Sequence, residues 1–297
     1  MQAESKGRRA LRLAASQSDY IVLAATFVGF FFLTSSFLIV SYLVDEETFA
    51  TTPIEFVGGL MGALVGGALL FVAILLFAMF MVRIMRQTAL GNALQVEYSD
   101  YAWLRDWANV VATDLEMPRV EIFVTQDPVI NAYAFGFVRP YCIVLHSGSI
   151  RYLSRNELKT IVVHEMAHIK YGHTIASVYL QPFVVFPVIN ILTSYLANFW
   201  RRRAELTSDR LALMYMGDAE LVKKALIVVH VGPDVSDAMN QTARDWLQYN
   251  AERPMNRFAQ TFSSHPFLVR RLSHIDRWKH LVEKPAPKPP KPVADTK

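Results

Sequence analysis

Two long uncharged segments dominate the pattern of hydrophobic and polar positions in the first third of the chain. Residues 21–44 and 57–82 contain no Asp, Glu, Lys or Arg. As helices that rise about 1.5 Å per residue, both are long enough to cross a hydrocarbon core of about 30 Å. The apolar region of a cleaved signal peptide has only about 7–15 residues. The pattern therefore predicts a retained transmembrane hairpin over residues 20–86.

Basic residues flank this hairpin at its two outer ends. Residues 1–19 are polar and basic, Arg83 and Arg86 follow the second segment, and the connection between the segments has neither Lys nor Arg. Positive charge near membrane segments stays on the cytoplasmic side. We therefore expect the N-terminus and everything after Arg83 to be cytoplasmic.

Glycines recur every four residues in the second segment, at Gly58, Gly62 and Gly66. Small residues at this spacing allow two helix backbones to approach closely in lipid. The spacing predicts such a contact face, and simple tolerance of glycine in a membrane helix is the alternative.

The region after the hairpin mixes helical and strand-like patterns. Apolar residues recur at helical spacing over 96–115, while 120–124 and 141–145 are typical of β-strands. Together with 131–136, the second strand predicts a hairpin-like sheet, whose edge strand could bind an extended peptide through its backbone. An ordinary core strand is the alternative. The candidate peptide-binding residues are Asn131, Ala132, Tyr133, Val144, Leu145 and His146.

An H-E-x-x-H motif begins at His164, in a segment predicted to be helical because Ser154 and Glu157 form a capping box before it. Residues four apart share one face of a helix, so His164 and His168 can bind one metal ion together. Imidazole nitrogen is a preferred zinc ligand. Glu165 follows the first histidine directly and is therefore placed beside the ion, as a general base rather than a ligand.

A third ligand is available from a later helical segment. Glu205 and Asp209 are also four residues apart and share a face. Three protein ligands plus one water molecule are typical of catalytic zinc. This predicts one Zn²⁺ per chain, held by His164, His168 and Glu205. For Glu205 and Asp209, a solvated, salt-bridged helix face among arginines is the alternative.

A third uncharged run, residues 174–200, separates the motif from Glu205 and contains two prolines. A single membrane crossing would place Glu205 on the opposite side of the bilayer from the two histidines. If all three bind one ion, the run must return, so we predict a broken hairpin that is re-entrant, lies at the membrane surface or lies in the domain. The zinc domain would then extend over 87–283. A Pro- and Lys-rich tail, 284–297, is expected to be disordered.

Composition sets three further limits. Hydrophobic residues make up 53% of the chain, which agrees with membrane segments. The formal net charge is only +4, and the basic residues cluster near the apolar segments and in the tail, which is not a nucleic-acid footprint. The one cysteine, Cys142, cannot form an internal disulfide. We expect polypeptides and the lipid bilayer as partners, and no nucleic acid.

Four ordered blocks between about residues 100 and 275 resemble the HtpX-type membrane zinc peptidases. These peptidases share a family with the CAAX prenyl protease and a mitochondrial stress protease. The blocks are N-A-Y-A at 131–134, H-E-x-x-H at 164–168, R-x-x-E-x-x-x-D at 202–209, and Ser264-His265-Pro266 with Arg271.

The resemblance and the apolar pattern together imply an α+β membrane protein. Two N-terminal transmembrane helices would precede a mainly helical gluzincin-type zinc peptidase domain with a small β-sheet and the broken or re-entrant hairpin. The implied protein is a zinc endopeptidase of the bacterial inner membrane that acts on membrane proteins in quality control. HtpX has two hydrophobic segments between the second His and the Glu, whereas this chain has one long run. A processing protease for one defined, prenylated substrate and an inactive membrane adaptor are the alternatives.

In the implied mechanism, Glu165 takes a proton from the attacking water and passes it to the leaving amine. Asp209 is expected to orient a ligand histidine, and Arg271 to lie beside it near the metal. His265 is expected near the active site. It would either donate a hydrogen bond to the oxyanion or fill the open position of the metal, and a packing histidine is the third possibility.

Overall fold

The computed structural model describes residues 5–44, 52–185 and 190–282, with side chains left out at 182–192. Within these ranges the chain is mainly helical and contains one small sheet. The predicted disordered tail lies outside the described residues. So do most of the connection between the first two apolar segments and the tip of the third apolar run.

Three helices form the N-terminal part: α1 (Lys6–Ala14), α2 (Gln17–Val44) and α3 (Pro53–Gly91). By length and composition, α2 and α3 are the two helices in the described part of the chain that could cross a membrane. Thr52 and Glu55 form a capping box that starts α3. This helix continues past Arg86, since neither Gly nor Pro lies between Arg86 and Gly91. Arg86 Nη2 donates to the Pro140 carbonyl oxygen at 3.0 Å.

The basic N-terminal segment is a packed helix. Ala10 and Ala14 of α1 are buried in the main hydrophobic core. Ser5 accepts a hydrogen bond from the Arg8 N–H at the start of α1. At its end, Arg210 Nε donates to the Ala14 carbonyl oxygen at 2.9 Å.

The sheet has four strands: β1 (Leu94–Gln95), β2 (Val120–Thr125), β3 (Ala132–Phe135) and β4 (Tyr141–His146). Their spatial order is β1-β2-β4-β3. β1 pairs with β2, and β3 with β4, in antiparallel fashion, whereas β2 and β4 are parallel. The antiparallel β3–β4 pair is the hairpin-like sheet that the sequence predicted, and β3 forms one edge.

Helices pack around this sheet to form the main core. The amphipathic pattern before β2 is confirmed as α4 (Ala102–Asp114). The later helices are α5 (Ser147–Tyr152), α6 (Arg155–Lys170), α7 (His173–Val185), α8 (Asn190–Met216), α9 (Ala219–Val231), α10 (Pro233–Ala238), α11 (Gln241–Glu252), α12 (Pro254–Gln260) and α13 (Leu268–Trp278). α6 lies at the centre, and its Val162, Val163 and Met166 are fully buried.

The third apolar run folds back on itself. α7 and α8 pack against each other and against α2, where Phe30, Ala176, Leu180 and Trp200 form a second small core. This arrangement is the predicted broken hairpin. The returning arm and the segment with Glu205 are one continuous helix, α8, because no Gly or Pro separates them.

Glycine contacts between α2 and α3 follow a different register from the predicted one. A Cβ atom added at Gly67 would lie only 2.8 Å from Ser35 Oγ, and one at Gly59 would overlap a tyrosine ring of α2. By contrast, a Cβ at Gly58 or Gly62 would meet nothing within 4 Å. Of the three glycines in the predicted contact face, Gly66 alone would bring an added Cβ near α2, at 3.5 Å from Leu38 Cδ1. The four-residue spacing therefore does not identify the glycines at which α3 meets α2.

We expect Gly67→Leu to destabilise the packing of α2 on α3 by about 1–3 kcal/mol, since the added side chain overlaps Ser35. Gly62→Leu is the matched control, because its new side chain enters open space. The thermal unfolding midpoint in detergent measures both variants. Equal shifts would contradict this contact.

Candidate metal centre

The motif helix α6 brings its two histidines together. Its N-terminus is fixed by the predicted capping box: Glu157 N–H donates to Ser154 Oγ, and Ser154 N–H donates to Glu157 Oε2 at 2.8 Å. One helical turn separates His164 from His168. Their Nε2 atoms lie 3.1 Å apart and point to the same place.

Glu205 of α8 reaches this place from the opposite helix. Its Oε2 lies 3.5 Å from His164 Nε2, and its Oε1 lies 3.6 Å from His168 Nε2. Two atoms that each bind zinc tetrahedrally at about 2.0–2.1 Å are about 3.3 Å apart. The three observed separations bracket that value, so the two nitrogens and one carboxylate fit a single ion.

The protonation states around this group also suit a cation. Burial lowers the pKa of His168, which keeps its imidazole neutral, as metal binding requires. Burial alone would raise the pKa of Glu205, but the charge of Arg271 and hydrogen bonds from His164 and His265 hold it well below its usual range. Burial likewise opposes charge on His164, but hydrogen bonds to Asp209 and Glu205 raise the pKa of its imidazole to about 10. Surroundings that favour an imidazolium favour a bound cation for the same reason.

Asp209 contacts the other nitrogen of the first histidine. His164 Nδ1 lies 3.0 Å from Asp209 Oδ1. Arg271 of α13 donates to both oxygens of Asp209, at 2.7 and 2.5 Å, and its Nη1 lies 3.3 Å from Glu205 Oε2. Burial alone would raise the pKa of Asp209, but Arg271 and His164 lower it to about 2. A fixed carboxylate at Nδ1 sets the ring orientation that leaves Nε2 free for a metal.

The residues that form this group fall within a sequence region that matches a known family. The sequence profile of peptidase family M48 matches residues 99–279, more than half of the chain, and includes every group described above. The chain belongs to peptidase family M48. The resemblance to the HtpX-type peptidases is thereby confirmed at the family level.

The chain is also similar to individual proteins. Plastoglobule-localized metallopeptidase 48 of Arabidopsis thaliana is 30% identical over 68% of this chain and 64% of its own length. A protease HtpX homolog of Fusobacterium nucleatum is 22% identical over 57% of this chain and 65% of its own. The chain thus spans a little under two thirds of these relatives. The crystal structure of S. mikatae Ste24p superposes with a TM-score of 0.47 at 16% identity, covering 88% of this chain and 67% of that chain.

Glu165 and His265 lie at the same cleft. Glu165 is buried, and burial raises the pKa of its carboxyl to about 7. His265 Nδ1 lies 3.2 Å from Glu205 Oε1, while the side chain remains 63% exposed. His265 therefore contacts a candidate metal ligand from the solvent side.

Arg202 holds the turn that carries His265 against the candidate metal centre. Its Nη1 donates to the carbonyl oxygens of Thr261 and Ser263, both at 2.7 Å. Asn198 Nδ2 donates to the carbonyl oxygen of Phe262 between them, also at 2.7 Å. These bonds tie α8 to the turn that leads into His265.

The candidate peptide-binding residues separate into two groups. Asn131, Ala132 and Tyr133 line the main cleft of about 780 Å³, which also contains Glu165 and the two candidate ligand histidines. In contrast, Val144 and Leu145 are fully buried on β4, whose backbone pairs with β2 on one side and β3 on the other.

The predicted peptide contacts at Val144 and Leu145 were therefore wrong, because a central strand has no free backbone groups to offer. His146, at the end of β4, lies 3.3 Å from Asp127 Oδ2 through its Nδ1 and packs edge-on against the Tyr133 ring. His146 therefore supports β3 from behind.

Sequence reasoning missed His173, which contacts the second candidate ligand, His168. Its Nδ1 lies 3.3 Å from His168 Nδ1 and 3.4 Å from Ser208 Oγ, and its ring stands edge-on to Trp200. Burial lowers the pKa of His173 to about 4, so the ring is neutral. The one sequence signal for His173 was its position directly after Gly172. In the structure, Gly172 has a φ of 72° and turns the chain at the end of α6.

A second missed residue is Asp19, at the start of α2. Its carboxylate accepts hydrogen bonds from Arg203 Nε at 2.8 Å and from Thr207 Oγ1 at 2.6 Å. These donors lie two residues before and two residues after Glu205. Asp19 thus anchors the turns of α8 that flank the candidate ligand, and its one sequence signal was a charge directly before an apolar span.

We expect Glu205→Ala to lower zinc occupancy and proteolysis together, because it removes one of the three converging ligand groups. Elemental analysis of the purified protein after dialysis measures the metal. Glu220→Ala, on the exposed start of α9, is the control for loss of one carboxylate. One full equivalent of zinc and unchanged turnover in Glu205→Ala would exclude Glu205 as a ligand.

Proposed function

We propose that this chain is an integral-membrane zinc endopeptidase. The observation that carries the proposal is the convergence of His164, His168 and Glu205 beside a buried Glu165, in an open cleft bordered by an edge strand. A catalytic zinc site needs three protein ligands and access for water and substrate. Membership of peptidase family M48 supports the same reaction class.

His164, His168 and Glu205 would hold Zn²⁺. When bound, the ion supplies Lewis acidity, which polarises a peptide carbonyl and acidifies water. Asp209 holds the His164 ring through Nδ1, and His173 does the same for His168. Orienting contacts of this kind typically change metal affinity by about 10–100-fold.

Glu165 is the general base of the proposed reaction. It takes the proton of the attacking water and returns it to the amine that leaves when the peptide bond breaks. His265 donates a hydrogen bond to the oxygen of the attacked carbonyl as negative charge develops there. Its contact with Glu205 through Nδ1 leaves Nε2 available for this bond and favours this role over metal binding.

The edge strand β3 would bind the substrate as an added antiparallel or parallel strand. One side of β3 is paired with β4, and its residues line the cleft next to α6. The same cleft is lined by Val82 and Met85 of α3 and by Val178 of α7. Because these belong to apolar membrane-associated helices, the proposed substrates are membrane proteins, cleaved in quality control.

The proposed orientation in the membrane follows from the positive charges that flank α2 and α3. The basic ends of the α2–α3 pair would remain in the cytoplasm, together with the zinc domain and both termini. The α7–α8 hairpin would return to that side because its two flanks contribute to one metal group.

We expect Glu165→Gln to keep zinc and fold but to lose proteolysis by a factor of about 10²–10⁴, since only the base is removed. Cleavage of a casein-type substrate by the zinc-loaded protein in detergent measures this. Glu220→Gln is the control for an exposed carboxylate. Turnover by Glu165→Gln at the wild-type rate would remove Glu165 from the mechanism, and an inert wild type that holds zinc would favour the adaptor alternative.

The same assay decides the role of His265. An oxyanion donor replaced by Ala should lower kcat with little change in KM. A histidine that occupies the metal's open position should instead raise basal activity when replaced, and no change in either constant would leave His265 with a packing role.

Cysteine labelling in sealed vesicles tests the topology. Asn156→Cys before the motif and Glu220→Cys after α8 are exposed positions, and both should react from the cytoplasmic face. Glu47→Cys, in the connection between α2 and α3, should react from the other face. Native Cys142 is buried and should give little background. Labelling of Asn156→Cys and Glu220→Cys from opposite faces would contradict the returning hairpin.

A further inference from the structure

A smaller cavity of about 270 Å³ adjoins the candidate metal centre. It shares more than half of its lining with the main cleft but includes no residue of β3, so it is a side extension of that cleft beside the candidate ligands. The cavity is lined by His168, His173, Ser177, Trp200, Arg201, Ala204, Glu205, Ser264 and His265.

Arg201 brings a positive charge into this side cavity without an acidic partner. Its Nη2 donates to Gln181 Oε1 at 2.8 Å, and its Nη1 lies 3.4 Å from Asn198 Oδ1. Both acceptors are neutral amides. Over the described ranges, no carboxylate lies within ion-pair distance of Arg201, and burial lowers the pKa of its guanidinium with no acidic neighbour to offset it.

The next two arginines of α8 have acceptors that Arg201 lacks. Arg202 donates to two backbone carbonyl oxygens, and Arg203 pairs with the carboxylate of Asp19. Arg201 differs from both, since its guanidinium faces a cavity and keeps donors free for a planar acceptor.

A partly buried cation without a counter-ion is unfavourable, and an anion that enters its cavity relieves that cost. A carboxylate suits a guanidinium best, because the two planar groups can form paired charge-assisted hydrogen bonds. Trp200 and Ala204 provide apolar walls for the methylene groups that carry such a carboxylate.

Arg201 is also close enough to the reaction to affect the choice of substrate. It precedes Glu205 by one helical turn on α8, so their Cβ atoms are about 5–6 Å apart. An extended peptide advances about 3.3 Å per residue. A group bound by Arg201 would therefore belong to a residue within about three positions of the scissile bond.

We propose that the side cavity is an anionic subsite, in which Arg201 binds a peptide carboxylate near the scissile bond. The carboxylate is either an Asp or Glu side chain or the C-terminus of the substrate. The proposal rests on the proposed peptidase function, and it makes Arg201 a determinant of specificity.

Paired fluorogenic peptides test this subsite in the full-length, zinc-loaded protein. In one series, Glu is exchanged for Gln at each of three positions on either side of the cleaved bond. In the other, a free C-terminus is exchanged for an amide. We expect the wild type to cleave the acid member of one pair at least about tenfold faster in kcat/KM, a difference of about 1.4 kcal/mol. The series that shows the preference identifies the source of the carboxylate.

Variants of Arg201 then connect the preference to this side chain. Arg201→Gln should bring the acid-to-amide ratio close to one, and Arg201→Glu should reverse it, so that the amide member of the pair is cleaved faster than the acid member. Arg257→Gln removes the same charge from an exposed position of α12 and should keep the wild-type ratio. Arg201→Lys, which keeps the charge but not the planar fork, should retain part of the preference.

Two results would overturn the subsite: a wild-type ratio near one in every pair, or an unchanged ratio in Arg201→Gln. The first needs no variant, so it stands even if Arg201→Gln does not fold. If the wild type cleaves none of the peptides, the proposed function fails instead. Fluorescence anisotropy then measures the binding of the same labelled peptides to the protein, independently of cleavage. Equal affinity for the acid and amide members would overturn the subsite.

Discussion

The buried charge of Arg271 is the interaction on which the candidate metal centre depends. Asp209 and Glu205 are both buried carboxylates, and each would be costly to desolvate alone. Arg271 binds Asp209 through two hydrogen bonds and contacts Glu205 with its remaining nitrogen. Removing one partner from such a buried pair typically costs about 3–5 kcal/mol. The orientation of His164 is therefore fixed by a side chain on α13, 62 residues from Asp209.

Helix α8 connects this centre to the rest of the molecule. Its consecutive arginines have different partners: Arg202 holds the turn before His265, and Arg203 holds Asp19 at the start of α2. Farther along, Arg210 donates to the end of α1. Because these contacts flank Glu205 on both sides, the N-terminal helices contribute to the position of a candidate metal ligand. A membrane anchor joined by a loose linker would contribute nothing of this kind.

The two cavities suggest how substrate binding is divided. Backbone hydrogen bonds along β3 would hold an extended peptide of almost any sequence, since they use main-chain atoms only. Selectivity must then come from side-chain pockets. The apolar residues of α3 and α7 line the main cleft, and Arg201 supplies the charge of the side cavity. An enzyme built in this way combines broad recognition of the backbone with a local preference for particular side chains.

The sequence by itself determined the features that depend on neighbours a few residues apart. The two apolar spans, the capping box before α6, the shared face of His164 and His168, and the shared face of Glu205 and Asp209 all follow from spacings of three or four residues or from uninterrupted runs. The returning hairpin was also predicted, because one ion cannot be bound from two sides of a bilayer.

Only the tertiary structure decided which surfaces meet. Strand-like patterns at β3 and β4 did not show that β4 is central, so Val144 and Leu145 were assigned to peptide binding although both are core residues. Glycine spacing did not identify the glycines at which α3 meets α2. Similarly, the three adjacent arginines of α8 cannot be told apart in sequence. The structure shows that Arg203 has an acidic partner and that Arg201, among the described residues, has none. Burial and pairing depend on contacts between residues far apart in sequence, and the local pattern of apolar residues does not identify those contacts.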